Sequence, residues 1–388
     1  MVQMTDKINS KGILIVTPFF SPNIGGVETH LDDLCTYLSQ NDYRVFVVTY
    51  QPLTTRVKGL GLERRGNIEI HRCAWFGYGL FHKLNNRPFL NLLYLTPWLL
   101  LNSLFFMLKN HKRVDVIHAQ GFNSALIGKI LAKVFKKRLI ISTHAIYSLQ
   151  KDAFISKMIY WILSSADKVL AISNPSRKEL IKIGLREEQV ITYTYWVDQE
   201  VFKPLPQSSK RKEMGWQDKF VVLFVGRLIK IKGIEVLLEA ARDFDDKVVF
   251  AFIGQGPLEN LLTEESRLKN NVKFLGPVDN LRLVEYLNAV DVLAVPSVYE
   301  EGFGRVILEA LSCGIPVIAS KRGGIAEAIN ETVGVLIDIN KANLQQAILN
   351  LYQNREHYLR LKNNAREYAV SHFNIENAGV ITAAYQNS

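Results

Sequence analysis

Residues 12–40 read GILIVTPFFSPNIGGVETHLDDLCTYLSQ, and the fold is decided there. Gly12–Thr17 is a continuous apolar run, the pattern of a strand buried on both faces. A loop rich in Pro and Gly follows, with Pro18, Pro22, Asn23, Gly25 and Gly26. From about Val27, Leu31, Leu34, Tyr37 and Leu38 recur at helical spacing. Arg44–Thr49 is then the next strand. Buried strand, helix, buried strand predicts a parallel sheet covered on both faces.

The same grammar runs outward. Val114–His118, Arg138–Thr143 and Lys168–Ile172 read as further strands separated by helical stretches. The second half repeats it, with the strand Phe220–Val225, a loop, and a helix around Glu235–Ala241. Val248–Ile253, Val272–Leu275, Val292–Val295 and Val317–Ala319 follow as strands. Two such blocks predict an α/β chain of two doubly wound, Rossmann-like domains. The length of 388 residues agrees, at about 100–200 residues per domain. The join is placed near Trp196–Ser209, where Pro204 and Pro206 break regular structure. The expected domains are 1–200 and 201–375, with a helical last stretch, 376–388.

Composition excludes other classes. With 48% hydrophobic and 22% charged residues, the chain is not disordered, collagenous or a coiled coil. Cys35, Cys73 and Cys313 lie far apart with no CxxC or Cys/His cluster. That speaks against a structural zinc site and for a reducing compartment. The first apolar run, Ile13–Val16, is too short for a signal-peptide core and reads as a strand. The net charge is +10, and its distribution is uneven. Residues 1–200 hold 25 basic and 15 acidic side chains, whereas residues 201–388 hold 22 of each. A basic half-chain suits an anionic partner (nucleic acid, membrane surface or phosphorylated ligand) or serves plain solubility. Phe89–Leu108 has 15 apolar residues in 20. It reads as a buried helix, a helix on a membrane surface, or a span. Spanning would split the sheet across a bilayer. Arg87 before it, and Lys109, Lys112 and Arg113 after it, suit anionic head groups.

The chemistry concentrates in Glu301-Gly302-Phe303-Gly304-Arg305-Val306-Ile307-Leu308-Glu309-Ala310, after the strand Val292–Val295. Glycines directly after Glu301 let a ligand approach the backbone closely. The helix that follows offers free N–H groups and partial positive charge at its start, near Val306. Two carboxylates about two helical turns apart can hold two ends of an elongated, hydroxyl-bearing ligand. As a lone pair of helix-end glutamates they would merely be solvated. Gly226-Arg227-Leu228 and then Lys232-Gly233 follow the strand Phe220–Val225. An Arg fork and a mobile Lys at a strand end suit a diphosphate.

The loop at Gly25 and Gly26 resembles a phosphate loop, but it is neither GxGxxG nor a P-loop, which removes the main support for a nicotinamide cofactor. Gly254-Gln255-Gly256-Pro257 and Gly323-Gly324 with Glu327 are ligand loops or ordinary turns. His144 just after Arg138–Thr143, and below it in rank His118, sit where open α/β sheets bind ligands.

Taken together, GGVETH, STHA, GRLIKIKG, GQGP and EEGFGRVILEA, in this order over residues 11–385, resemble a family-4 retaining glycosyltransferase of the GT-B fold. The resemblance implies two Rossmann-like domains facing each other across a cleft, with the C-terminal helix crossing back to the N-terminal domain. A sugar-nucleotide donor would bind the C-terminal domain, and the N-terminal domain would serve the acceptor. Arg227 and Lys232 match a diphosphate-binding pair. Glu301 matches the glutamate on the transferred sugar, with the backbone of Gly302, Phe303 and Gly304 beside it. Glu309 matches the glutamate on the ribose hydroxyls, and N–H groups near Val306 would face the phosphates. The segment Pro277-Val278 would touch the base, and Gly254 would line the donor loop. Gly25 and Gly26 match the loop that closes over the diphosphate, and His144 the histidine near the reacting centre. Tyr195 and Trp196 stand where the family often has Asn-Gly, a departure that bears on the local turn and the acceptor end.

The resemblance further implies retention of anomeric configuration, with His144, Arg227, Lys232 and Glu301 around the reacting centre and neither metal nor cofactor. The expected donor is a UDP-sugar ahead of a GDP-sugar. The expected acceptor is a lipid-linked sugar or glycolipid, at the cytoplasmic face of an anionic membrane. The alternatives are an epimerase or phosphorylase on the same fold, or a non-catalytic sugar-nucleotide-binding subunit. Nucleic acid is not expected as a partner.

Overall fold

Alternation of buried strand and helix builds two separate parallel sheets. The computed structural model describes residues 10–77, 79–84, 87–147, 149, 153–206 and 209–386. The chain divides into two compact units: residues through Tyr193 together with those from Ala378 onward, and Thr194–Asn377.

The first unit holds β1 (Gly12–Val16), β2 (Arg44–Tyr50), β3 (Leu62–Arg65), β4 (Ile68–Cys73), β5 (Val116–Gln120), β6 (Arg138–Thr143), β7 (Lys168–Ala171) and β8 (Val190–Thr192). Their order in the sheet is β3-β4-β2-β1-β5-β6-β7-β8. All neighbours are parallel except β3, which pairs antiparallel with β4. Strand order reverses between β1 and β5, where an open α/β sheet forms its crevice. One face of the sheet, including Leu14, Val48, Ile117 and Ile141, packs under the helices Pro88–Asn110, Gly121–Phe135 and Phe154–Leu163.

The C-terminal helix Ala378–Tyr385 belongs to this first unit. Lys11 Nζ donates to the Tyr385 carbonyl at 2.7 Å and Arg138 Nε to the Ala384 carbonyl at 3.1 Å.

The second unit holds β9 (Phe220–Val225), β10 (Val248–Ile253), β11 (Val272–Gly276), β12 (Val292–Val295), β13 (Val317–Ser320) and β14 (Gly334–Ile337). They run in the order β11-β10-β9-β12-β13-β14, with every pairing parallel. Here the order reverses between β9 and β12.

One sequence reading is corrected. The strand expected at Val114–His118 runs from Val116 to Gln120. Asp115 anchors the chain just before it, its carboxylate accepting from the Gly12 N–H at 2.7 Å. The polar Gln120 then closes the strand, which an apolar pattern does not foresee. His118 is consequently a mid-strand residue rather than a strand end. The joining segment contains no helix or strand between Thr192 and Ser209, with Gln207 and Ser208 outside the described residues. It is nonetheless anchored: Tyr195, Trp196, Val197 and Phe202 are buried.

Candidate active site

In the second unit, one edge of the sheet gathers most of the residues singled out. Gly226 and Arg227 follow β9, Gly254 follows β10, Pro277-Val278 follows β11, and Glu301 with Gly302 follows the loop after β12. The parallel sheet places all of these turns at the C-terminal ends of its strands. Lys232 and Glu301 come from the two strands that flank the order reversal, and they meet: Lys232 Nζ lies 2.7 Å from Glu301 Oε2. The other carboxylate oxygen of Glu301 accepts from the Ser297 hydroxyl. Glu301 is 6% exposed.

Burial pulls the Lys232 pKa down, but the Glu301 carboxylate and the Tyr299 phenol pull it up further, and the net shift is upward. The nearby Arg227 charge opposes part of that gain. The ammonium is therefore charged at neutral pH, ready to meet an anion.

Local backbone builds this contact. Gly233 sits at φ +73, and a Cβ there would lie 1.8 Å from the Pro296 carbonyl oxygen. The Val298 N–H also donates to the Ile231 carbonyl at 2.9 Å. The two loops thus touch backbone to backbone, which seats Lys232 beside Glu301. On the other side, the Gly324 N–H donates to the Glu301 carbonyl at 2.9 Å. A Cβ on Gly324 would lie 1.8 Å from the Gly302 carbonyl oxygen. Gly324 therefore supports the Glu301-Gly302 loop from below. The loop at Gly254 packs against the β9 turn, the Leu228 N–H donating to the Gln255 carbonyl at 2.9 Å.

Gly304 precedes the helix Arg305–Ser312, which carries Val306 in its first turn and Glu309 in its second. Glu309 is 4% exposed, and Arg305 Nε donates to its Oε1 at 3.0 Å. Arg305 Nη1 donates to the Trp196 carbonyl, also at 3.0 Å. Arg305 was not singled out from sequence, although its position one turn before Glu309 is an (i, i+4) signal. The Tyr195 ring packs edge-on to Phe303 at 6.3 Å between centroids. The two residues that depart from the family pattern thus brace the Gly302-Phe303-Gly304 loop and its helix.

In the first unit, His144 follows β6 and meets Gln120, the last residue of β5. His144 Nε2 lies 2.8 Å from Gln120 Oε1, and the Tyr193 hydroxyl lies 3.1 Å from Nδ1. Donation from Nε2–H to the amide oxygen and from the phenol to Nδ1 satisfies both contacts with a neutral ring. Burial lowers the His144 pKa to about 4, which keeps that ring neutral at pH 7. The His30 ring stands 6.2 Å from His144 and 5.8 Å from Tyr193. Gln120 is 3% exposed, and its amide Nε2 is buried without a hydrogen-bond partner. Gln120 and Tyr193 were not singled out from sequence; neither residue type at its spacing signals a contact with His144.

Gly25 and Gly26 open the helix Gly26–Gln40, where the Thr29 N–H donates to the Gly25 carbonyl at 3.0 Å. His118 is structural. Its Nδ1 meets the Tyr385 hydroxyl and its Nε2 the Ser142 hydroxyl, each at 2.7 Å. Among the described residues, no group of three or more His, Cys, Asp or Glu side chains could hold a metal ion.

Comparison with known proteins adds the family. Residues 24–200 match the family described as Glycosyltransferase Family 4, and residues 206–368 match Glycosyl transferases group 1. An uncharacterized glycosyltransferase of Methanocaldococcus jannaschii is 26% identical over 93% of this chain and 94% of its own. The phosphatidylinositol N-acetylglucosaminyltransferase GPI3 subunit of Saccharomyces cerevisiae is 25% identical over 86% of this chain and 74% of its own. Among solved structures, Anabaena HepE in complex with UDP and glucose superposes with a TM-score of 0.77. It is 23% identical and is matched over 96% of this chain and 98% of its own. With two doubly wound sheets and two family matches that follow each other along the chain, the protein belongs to the family-4, group 1 glycosyltransferases and has the GT-B fold.

Proposed function

We propose that this glycosyltransferase moves a sugar, with retention of configuration, from a nucleoside-diphosphate sugar to a lipid-linked sugar or glycolipid. UDP is the favoured nucleotide, ahead of GDP. The observation that carries the reading is the Lys232–Glu301 contact at the reversal of strand order, with Arg227 beside it. Two cations at that point suit a diphosphate, and a buried carboxylate suits sugar hydroxyls. HepE, a structural relative, holds UDP and glucose. The yeast relative's name specifies phosphatidylinositol, which supports a lipid acceptor here.

The reaction breaks the anomeric C–O bond and leaves a nucleoside diphosphate. Arg227 and Lys232 stabilise the charge that grows on the leaving oxygen, the role a metal fills in other transferases. The acceptor hydroxyl attacks on the face the diphosphate leaves, and the departing phosphate oxygen takes its proton. Glu301 positions the sugar; both its oxygens already have partners, which disfavours a role as nucleophile. Glu309 takes the ribose hydroxyls, and N–H groups near Val306 take phosphate oxygens. The segment at Val278 contacts the base, Gly25 and Gly26 close over the diphosphate, and the neutral His144 stands near the transferred sugar. The enzyme works at the cytoplasmic face of a membrane.

A panel of sugar nucleotides tests this by thermal shift and slow donor hydrolysis, with and without EDTA. One donor that raises the melting temperature and is hydrolysed equally in EDTA is the expected result. Loss of hydrolysis in EDTA overturns the metal-free mechanism. A trapped glycosyl–Glu301 adduct overturns front-face attack. No shift with any donor, even with membrane extract added, overturns the donor assignment.

A further inference from the structure

The helix Pro88–Asn110 is long and apolar enough to cross a membrane, yet one side of it is built into the first unit's core. Leu95, Leu99 and Met107 are fully buried. A span would strip these side chains from the sheet they cover. The opposite side is the unusual one. Leu90, Leu93, Trp98, Leu101, Phe105 and Leu108 are 40–66% exposed. They recur every three to five residues and form one apolar stripe along the helix. A solvated helix carries polar residues there. Large exposed apolar patches mark interaction sites.

A second helix adds to it. Phe154–Leu163 packs on the same core cluster, and Gly121–Phe135 lies between the two helices and touches both. All three cover one face of the sheet, so their outer sides point away from it together. On the second helix Phe154 is 77% exposed and Trp161 57% exposed. Lys129, on the middle helix, holds its ammonium 3.3 Å from the centre of the Trp161 ring.

Charge identifies the occupant. Residues 87–163, the stretch of chain that contains the three helices, hold 11 Lys and Arg but only 2 Asp and Glu, against a net +10 for the whole protein. Arg87, Lys109, Lys112, Lys133, Lys136 and Lys157 are exposed. A second copy of the chain would bring the same positive field against itself. An anionic bilayer offers opposite charge at its head groups and an apolar layer beneath. Each cation near such a surface contributes about 1 kcal/mol at low salt, and Trp and long cations suit the boundary between the two layers.

We propose that this three-helix layer is a membrane-docking face: the stripe on Pro88–Asn110, with Phe154 and Trp161, enters the acyl boundary of an anionic leaflet while the surrounding Lys and Arg hold the phosphates. The helix lies in the plane of the membrane and does not cross it. This deepens the reading of a lipid-borne acceptor and rests on it for its purpose, but not for its evidence.

The test is cosedimentation of the full chain with vesicles of phosphatidylcholine alone or with about a third phosphatidylglycerol, at low and high salt. Donor-induced thermal shift and donor hydrolysis are measured on the same preparations. The wild type binds the anionic vesicles, releases in high salt, and shows a blue shift in Trp fluorescence that Trp161→Phe reduces. Leu101→Ser with Phe105→Ser, and separately Phe154→Ser, each lower the partition coefficient about tenfold or more per large side chain removed. Lys112→Ser with Lys133→Ser weakens binding to anionic vesicles only. Donor-induced shift and hydrolysis are unchanged in all of these variants, because none lies at the Lys232–Glu301 site.

The proposal is overturned if the wild type ignores anionic vesicles at low salt, or if the apolar variants bind as the wild type does. It is also overturned if those variants convert a dimer to a monomer in solution with no vesicle binding by either form, since the face then covers a second copy. Vesicle binding without turnover of any donor would overturn the donor reading and leave the docking face standing.

Discussion

The Lys232 ammonium and the Glu301 carboxylate, brought together from the loops after two adjacent strands, stand 2.7 Å apart with side chains 18% and 8% exposed. Each neutralises the other where water is scarce. Lys232→Ala leaves a buried carboxylate with only the Ser297 hydroxyl. The expected cost is on the order of 3 kcal/mol of stability and a fall in turnover of about 10²–10³-fold. Glu301→Gln leaves the cation and keeps the shape, so it should cost less stability. A double-mutant cycle in urea unfolding, with donor hydrolysis in parallel, checks both. Simple additivity of the two changes would show that the pair is not coupled.

Arg305 joins two places with one guanidinium: the Glu309 carboxylate and the Trp196 carbonyl. Removing it takes away the cation that faces the Glu309 carboxylate in a 4% exposed position. Arg305→Ala is expected to destabilise by about 3–5 kcal/mol and to raise the donor KM. Arg305→Lys restores the charge but not the planar fork, so it should recover only part of either. Thermal unfolding and donor titration of both variants measure this. A lysine variant equal to the wild type would contradict the role of the fork.

His144 is held from both sides, by Gln120 on Nε2 and Tyr193 on Nδ1. Tyr193→Phe removes one of those bonds without changing shape. We expect a loss of about 1 kcal/mol of stability and roughly a tenfold drop in kcat with a smaller change in KM. Gln120→Ala should behave similarly, with partial recovery in Gln120→Asn. Steady-state kinetics discriminate: a purely structural role would lower stability and leave kcat per folded molecule alone.

His118, which is buried, and the partly buried His144 make the first unit sensitive to acid. Burial lowers His144 to about 4, and burial together with the neighbouring His144 lowers His118 to about 3. In the unfolded chain both titrate near the ordinary value of about 6.5. Between the two values the unfolded state binds more protons, so stability is full above about pH 6.5 and is lost as pH falls toward 4. The slope reaches up to about 1.4 kcal/mol per pH unit for each histidine. Urea midpoints at about pH 7, 6 and 5 should fall accordingly, and His118→Gln should flatten the fall by one proton's worth. An unchanged slope would show that His118 does not titrate in that window.

The two doubly wound blocks are legible in the order of residues, because a strand buried on both faces must be apolar throughout and its covering helices must be amphipathic. The sequence located Phe220–Val225, Val248–Ile253, Val292–Val295 and Arg138–Thr143 to the residue. It also marked Arg227 and Lys232 by the glycines after Phe220–Val225, Glu301 and Glu309 by their spacing around Gly302 and Gly304, and His144 by its place just past Arg138–Thr143. The charged strand Leu62–Arg65 escaped notice because at the sheet edge it is held by backbone pairing with β4 and by ion pairs, Glu63 with Arg72 and Arg65 with Asp32, which leave no apolar pattern.

The partnerships, by contrast, are set by the folded chain. Lys232 and Glu301 lie far apart in the chain and meet because β9 and β12 are neighbours; Gln120 and His144 meet because β5 and β6 are. The fold also settles what Tyr195 and Trp196 do, through Phe303 and Arg305, and which side of Pro88–Asn110 is buried. Periodicity reports that a residue is apolar or charged, while long-range sheet pairing chooses what it faces.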